Sequence, residues 1–313
     1  MKAIQFLAIT ALGAALFASC SNEEELTRGS YPNDNIIRVT AGVNNMTRGN
    51  EVTTALNKDF SLTVVNSTND NYSYANEIFS LKGGTEWSST NKLLWENLAT
   101  PVEIVALYPA TDANTFAGVF SKESNSYGTI SYGVKPNQST RDDANDLLLY
   151  HNANFVPKDN LEDGKLDIQF KHAFCRVDIE VTIGSEFNAT NGLAANPIQG
   201  IKVEGTKTTA KIGFTPTAPF FTVTPSASGE VTSIIPTTDD FTPAASATDQ
   251  ARAKYSCIVI PQTATLKVLL HTSDREYEWT GTEMALESGK QYTLQLTMKK
   301  SATTRNFILR ERK

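Results

Sequence analysis

Few side chains in this sequence are placed to do chemistry, and those that are lie near its start. Cys20 follows Leu16-Phe17-Ala18-Ser19, so small residues directly precede a thiol. A run of this kind resembles a bacterial lipobox: small residues fit a signal peptidase, and the freed cysteine carries acyl chains into a bilayer. Each buried methylene contributes about 0.8 kcal/mol, so several chains hold firmly. The other reading of the same residues is an ordinary secretory signal, with Cys20 incidental. Arg28 and Arg48 come next, in Leu26-Thr27-Arg28-Gly29 and Met46-Thr47-Arg48-Gly49. Both lie in polar stretches, where an exposed, extended backbone can enter a trypsin-like protease. Cutting after Arg48 would remove Cys20 together with the apolar run at residues 36–43. Cutting after Arg28 would only trim a tether. The plainer reading is two arginines in loops.

Elsewhere the search for chemistry finds little. There is no G-x-S-x-G elbow, no H-E-x-x-H pair and no phosphate loop; Gly289-Lys290 lacks the upstream glycine and the following Ser or Thr. His151, His172 and His271 are far apart, so a zinc site would need tertiary convergence. Asp159-Asn160-Leu161-Glu162-Asp163-Gly164 invites comparison with a calcium loop, but Leu161 and Phe170 occupy liganding positions. Asp142, Asp143 and Asp146 are either a hard-cation site or a solvated loop. Trp87, Trp95 and Trp279 are either sugar-stacking platforms or packing. Cys175 and Cys257 sit among alternating apolar residues, which points to buried free thiols and leaves a bridge between them open. No enzyme activity, cofactor or metal is assigned.

These residues have to be carried by some architecture, and the pattern of the chain is that of an all-β protein. Residues 1–19 hold one cation, Lys2, and then an apolar core too short for a membrane span, the layout of a signal peptide. Residues 20–35 are polar and acidic, a tether. The chain as a whole is 40% hydrophobic, with a net charge of −6 and no basic stripe, which argues against a nucleic-acid partner. Short apolar runs recur with turn residues about every eight to twelve positions, and helical periodicity is almost absent. Residues 101–109, bounded by prolines, read as a central strand: Val102, Ile104, Ala106 and Tyr108 share one face, Val105 and Leu107 the other.

The strongest alternation is at 165–184. Leu166, Ile168 and Phe170 hold one parity, whereas Cys175, Val177, Ile179, Val181 and Ile183 hold the other. The switch near Lys171-His172-Ala173 predicts a β-bulge or a break. His172, at that point, is either a ligand or a side chain that satisfies bulge backbone groups. The loop at 188–197 marks the expected domain boundary, giving 36–187 and 188–313. Residues 198–205 and 210–214 read as a hairpin.

Taken together, the chain resembles the fimbrillin-like proteins of Bacteroidetes, the subunits of type V pili and their relatives. The likeness rests on the Cys20 lipobox, the early strand closing on Thr47-Arg48, and the segment from Trp95 to Leu107-Tyr108-Pro109. It rests also on Asp146-Leu147-Leu148-Leu149, the Leu166-x-Ile168-x-Phe170-x-His172-Ala173-Phe174 strand, and Gly289-Lys290-x-Tyr292-x-Leu294-x-Leu296. The acidic residues after Cys20 likewise resemble the surface-export tag of Bacteroidetes lipoproteins, a plain solvated tether being the alternative. The resemblance implies two tandem transthyretin-like β-sandwich domains and lipidation at Cys20. It implies export to the outer membrane and cell surface, processing after Arg48, and assembly with other pilus subunits by donor-strand exchange. Host or bacterial surface receptors or glycans are the further partners it implies. One departure is that only residues 301–313 follow the last strand, a reduced donor or the mark of a tip or anchor subunit. The alternative of another class is a monomeric surface lipoprotein that binds glycans.

Overall fold

The computed structural model describes residues 34–43, 56–83, 86–110, 119–227 and 231–300, and the backbone alone at 303–304. Cys20, Arg28 and Arg48 lie outside the described residues. The described chain is almost entirely strand: β1 (Val39–Val43), β2 (Phe60–Val65), β3 (Tyr74–Gly83), β4 (Glu86–Ser89), β5 (Val102–Tyr108), β6 (Phe120–Ser121), β7 (Ser126–Tyr127), β8 (Thr129–Gly133), β9 (Leu148–Phe155) and β10 (Leu166–His172). There follow β11 (Cys175–Ile183), β12 (Gly200–Glu204), β13 (Thr209–Phe214), β14 (Phe221–Pro225), β15 (Thr237–Thr242), β16 (Ala251–Val259), β17 (Gln262–His271), β18 (Glu276–Leu286), β19 (Gln291–Met298) and β20 (Thr303–Thr304). The one α-helical turn is Pro157–Asn160 among these residues.

Two hydrophobic cores divide the chain. The first lies inside a sheet that closes on itself in the order β1-β10-β9-β5-β2-β3-β4. The second is walled by the sheets β15-β16-β11-β19-β20, β12-β17-β18 and β14-β13-β8. Within the second, β11 is central: it pairs antiparallel with β16 along its whole length and parallel with β19 from Arg176 to Ile183.

The alternation of β5 has the meaning expected of a strand covered on both sides. Val102, Ile104, Ala106 and Tyr108 face the first core. Val105 and Leu107, with Leu149 of β9, belong to the second. The outer face of the first sheet at β5 and the start of β9 is thus a wall of the second core, and β5 is covered on both sides.

The parity switch after Phe170 is a break, and its cause is a change of core. Leu166, Ile168 and Phe170 of β10 point into the first core, while Cys175 to Ile183 of β11 point alternately into the second. The chain crosses within Ala173 and Phe174, both fully buried. His172 does not serve the backbone there: its Nδ1 lies 2.8 Å from Asp146 Oδ2. The change of core therefore falls before β11, earlier than the compositional boundary at Asn188, and residues 119–134 also contribute to the second core. The 188–197 loop is a surface excursion of that core, fastened by Leu193 pairing with Ala244 and by Asn188 Nδ2 donating to the Ser246 carbonyl. Composition detects such a loop but carries no information on which core owns its flanks. Nor do β12 and β13 form a hairpin: β12 pairs with β17, and β13 lies between β8 and β14.

The shared wall is testable. Ile104→Ala and Leu107→Ala should each cost about 2–5 kcal/mol by denaturant unfolding. Hydrogen exchange should separate them, Ile104→Ala deprotecting β2 and β10, and Leu107→Ala deprotecting β11 and β16. If Leu107→Ala leaves the second-core amides unchanged, the two cores do not share β5.

Candidate functional site

β1 is a short strand of the first sheet, five residues long, with a large structural role. Its segment enters at Asn35, whose positive φ of 52° turns the chain and lets its carbonyl accept from Trp95 N at 2.8 Å. Ile37 N then donates to the Leu93 carbonyl at 3.0 Å, and Ile36 pairs with Leu94. From Val39 to Val43 the strand runs parallel to β10, each residue opposite one of Leu166 to Phe170. On its other side it meets β4 at a single position, Val39 opposite Trp87. That one pairing closes the sheet.

The alternation of the segment fits this place. Ile37, Val39 and Val43 are buried, and Ala41 packs against the same core. Beneath them lies an aromatic floor: Phe60 stacks on Phe79 with centroids 5.4 Å apart and meets Trp87 at 4.9 Å and Phe170 at 5.7 Å. The outward side chains are polar. Thr40 Oγ1 donates to Asp167 across the β10 ladder, and Arg38 clasps Asp34 with two nitrogens at 2.6 and 2.9 Å. The Arg38 guanidinium holds the exposed Asp34 carboxyl well below its ordinary range, at about 2. Removing β1 would expose the β10 edge and a groove floored by these rings.

The other candidates resolve into structure. Trp87, Trp95 and Trp279 are 6%, 2% and 5% exposed, so none offers a platform to a sugar. Trp95 stacks on Phe155 at 5.7 Å, and Trp87 packs against Phe60 with its ring tilted by 58°. Asp142 is occupied by Lys135 and Lys58, each at 2.5 Å, and these ammonium groups hold its carboxyl well below the carboxylate range. Asp143 accepts from the Tyr108 hydroxyl at 2.7 Å; burial, with that carboxylate, pushes the phenol up. Asp146 is engaged by His172. The acidic segment at 159–164 ends in a tight turn, with Glu162 and Lys165 exchanging backbone hydrogen bonds around Asp163 and Gly164, both at positive φ. Cys175 and Cys257 are buried and unbridged. What the sequence did not announce is the part played by Trp87 and by the backbone of residues 93–95. A tryptophan followed by a Ser/Thr/Asn turn is the available signal, but nothing local to it says which strand it will meet.

The groove predicts a contrast within one strand. Val39→Asp, which buries an unpaired carboxylate at the closing position, should destabilise the first core by roughly 3 kcal/mol or more. Thr40→Ala, one residue on and facing outward, should cost within about 1 kcal/mol. Urea unfolding of both variants checks this, and equal costs would contradict the burial pattern of β1.

Comparison with known proteins places this geometry in context. The model of a family described as fimbrillin-like matches residues 41–308. Among solved structures, a candidate cell adhesion protein from Bacteroides uniformis aligns with a TM-score of 0.59 at 14% identity, over 89% of this chain and 99% of that one. Another from Bacteroides ovatus aligns with a TM-score of 0.58 at 14% identity, over 90% and 97%. At such identity the two structures establish likeness of fold. No curated protein sequence matches the chain.

Proposed function

The chain belongs to the fimbrillin-like family, and from that premise we propose that it is a cell-surface pilus subunit, structural or accessory, that serves adhesion and is assembled by protease-triggered strand exchange. The two cores are read as tandem transthyretin-like sandwiches. Cys20 is the lipid attachment point that carries the chain to the outer membrane. Arg48 is the processing site, with Arg28 as the alternative that merely shortens the tether.

The observation that carries this reading is the way β1 fills the first core. It supplies five ladder positions to β10 and only one to β4. Buried Ile37, Val39 and Val43 together stand for roughly 5–9 kcal/mol of apolar burial. That is comparable with the whole marginal stability of a domain, about 5–15 kcal/mol. A cut after Arg48 severs β1 from the body while leaving everything from β2 onward. An emptied groove has unpaired backbone along β10 and wetted aromatic rings, and a strand with apolar residues at alternate positions satisfies both. Another subunit's strand is the partner that fits. Surface receptors or glycans are the adhesive targets, reached by surfaces other than the three tryptophans. A monomeric glycan-binding role would need those rings exposed, and no observation favours it.

Treating the chain from Ser21 onward with an arginine-specific protease tests this. The expected result is a new N-terminus at Gly49 followed by SDS-resistant ladders, both absent in Arg48→Gln. A clean cut after Arg48 that leaves only monomer, or cutting confined to Arg28, would overturn strand exchange.

A further inference from the structure

The outer face of the β15-β16-β11-β19-β20 sheet carries a hollow that strand exchange does not use. Its side chains stand in rows fixed by the register. Arg252 of β16 lies opposite Thr182 of β11 and Thr242 of β15, and Thr182 lies opposite Thr297 of β19. Two residues along, Lys254 lies opposite Glu180 and Asp240, and Glu180 opposite Gln295. Residues directly opposite share a face. The alternate positions Val181, Ala253 and Leu296 are buried in the second core, so both rows point outward. Thr182, Thr297, Gln295, Glu180, Arg252 and Lys254 line a hollow of about 340 Å³. That is within the range usual for small-ligand sites, about 300–1,000 Å³. None of the lining residues is aromatic and the side chains that face it are polar, so it suits a hydrophilic ligand.

The charges of the hollow say more. Its charged lining is Arg252, Lys254 and Glu180, one cation in excess on a chain of net charge −6. The two cations differ. Lys254 Nζ lies 3.9 Å from Glu180 Oε1, with Asp240 on its other flank. Exposed Arg252 has a threonine on each flank and, among the described residues, no carboxylate within ion-pair distance. A guanidinium takes a carboxylate through two parallel hydrogen bonds. The hydroxyls of Thr182 and Thr297, in the same row, can donate to the same group. Glu180 offers the opposite chemistry. Gln295 Nε2 donates to its Oε2 at 3.1 Å, which orients the carboxylate and leaves lone pairs for hydroxyl donors. The two rows are two residues apart, about 7 Å along the strand. Asp240 and Asp249 line a basin on the far side of Arg252, so an anion is better placed toward β11 and β19.

We propose that this hollow binds an acidic sugar, its carboxylate on Arg252 and the neighbouring threonines, its ring hydroxyls on Glu180 and Gln295. The excess cation matches the sugar's charge, and the amide-held carboxylate matches its hydroxyls. With no aromatic ring to stack on, one copy holds one sugar weakly. Many copies along a filament multiply that hold without any new contact. The site rests on the geometry of the sheet, and its use in adhesion rests on the reading above.

Titrating D-glucuronate, N-acetylneuraminate, D-glucose and acetate separately into the isotope-labelled chain from Ser21 onward, followed by amide resonances, tests the site. Amides of Thr182, Arg252, Lys254, Gln295 and Thr297 should shift saturably with at least one acidic sugar. Glucose and acetate, each offering half of the chemistry, should bind roughly tenfold or more weakly. Arg252→Gln should weaken the acidic sugar by a similar factor, with an unchanged urea midpoint. Arg252→Lys, which keeps the charge and loses the fork, serves if that variant fails to fold. Glu180→Gln should weaken the sugar and leave acetate unaffected. No shift at these residues with either acidic sugar overturns the proposal, as does binding that survives loss of the guanidinium. Acetate bound as tightly as the sugar overturns it by showing an adventitious ion only, and glucose bound as tightly by showing a neutral polyol site. Loss of sugar binding would leave the Arg48 ladders standing, and failure of the ladders would leave this site standing.

Discussion

A sheet that curls round a core has two edges to hide, and here one short strand hides both. β10 presents a row of unsatisfied amides and carbonyls on one side, and β4 presents Trp87 on the other; β1 meets them together. Backbone groups denied water must find partners, and apolar rings denied neighbours lose contact energy, so the same few residues answer two costs at once. Because the pairing with β4 is a single position, the N-terminal fastening is taken over by the backbone of residues 93–95. The strand is consequently held strongly by β10 and lightly elsewhere. That distribution of bonds is what the proposed exchange of β1 for another strand of similar alternation requires.

Loss of a strand is survivable only if the rest of the sheet is braced, and the brace is the second core. β5 and the neighbouring part of β9 are apolar on both faces, so the wall at that part of the first sheet is pinned from outside as well as inside. The segment between β8 and β9 adds polar ties at the same junction. Lys58 of the first sheet's flank reaches Asp142, Tyr108 reaches Asp143, and Gln138 exchanges hydrogen bonds with both backbone groups of Ile258 in β16. Groups from both cores thus converge on one connection. Opening the groove at β1 would leave this junction in place.

How much of this is legible in the sequence depends on whether a feature is local. The faces of β5 can be read from Pro101-Val102-Glu103-Ile104-Val105-Ala106-Leu107-Tyr108-Pro109, because alternation and proline limits are properties of the strand itself. The break after Phe170 is legible too, as a change of parity. Its meaning is not, since a bulge and a change of core leave the same mark on the sequence. The pairing of β12 with β17 rather than β13 lies beyond local reading altogether, since sheet partners are chosen by the core they jointly cover. The same limit explains His172. Its position at the break is visible, but Asp146, the group it meets, lies 26 residues away in the chain. The candidate groove follows this division. The alternation of residues 36–43 marks a strand, while the parallel pairing with β10 and the aromatic floor are products of the tertiary fold.

An accepting groove and a donated strand are different surfaces, so subunits joined in the proposed way would meet head to tail, as an open filament unless the rotation between neighbours closes a ring. The balance that decides such an exchange is visible at β1. Its five-position ladder with β10 is made within one body, where no association entropy is lost, whereas a neighbour's strand in the same groove must offset the cost of holding two bodies together.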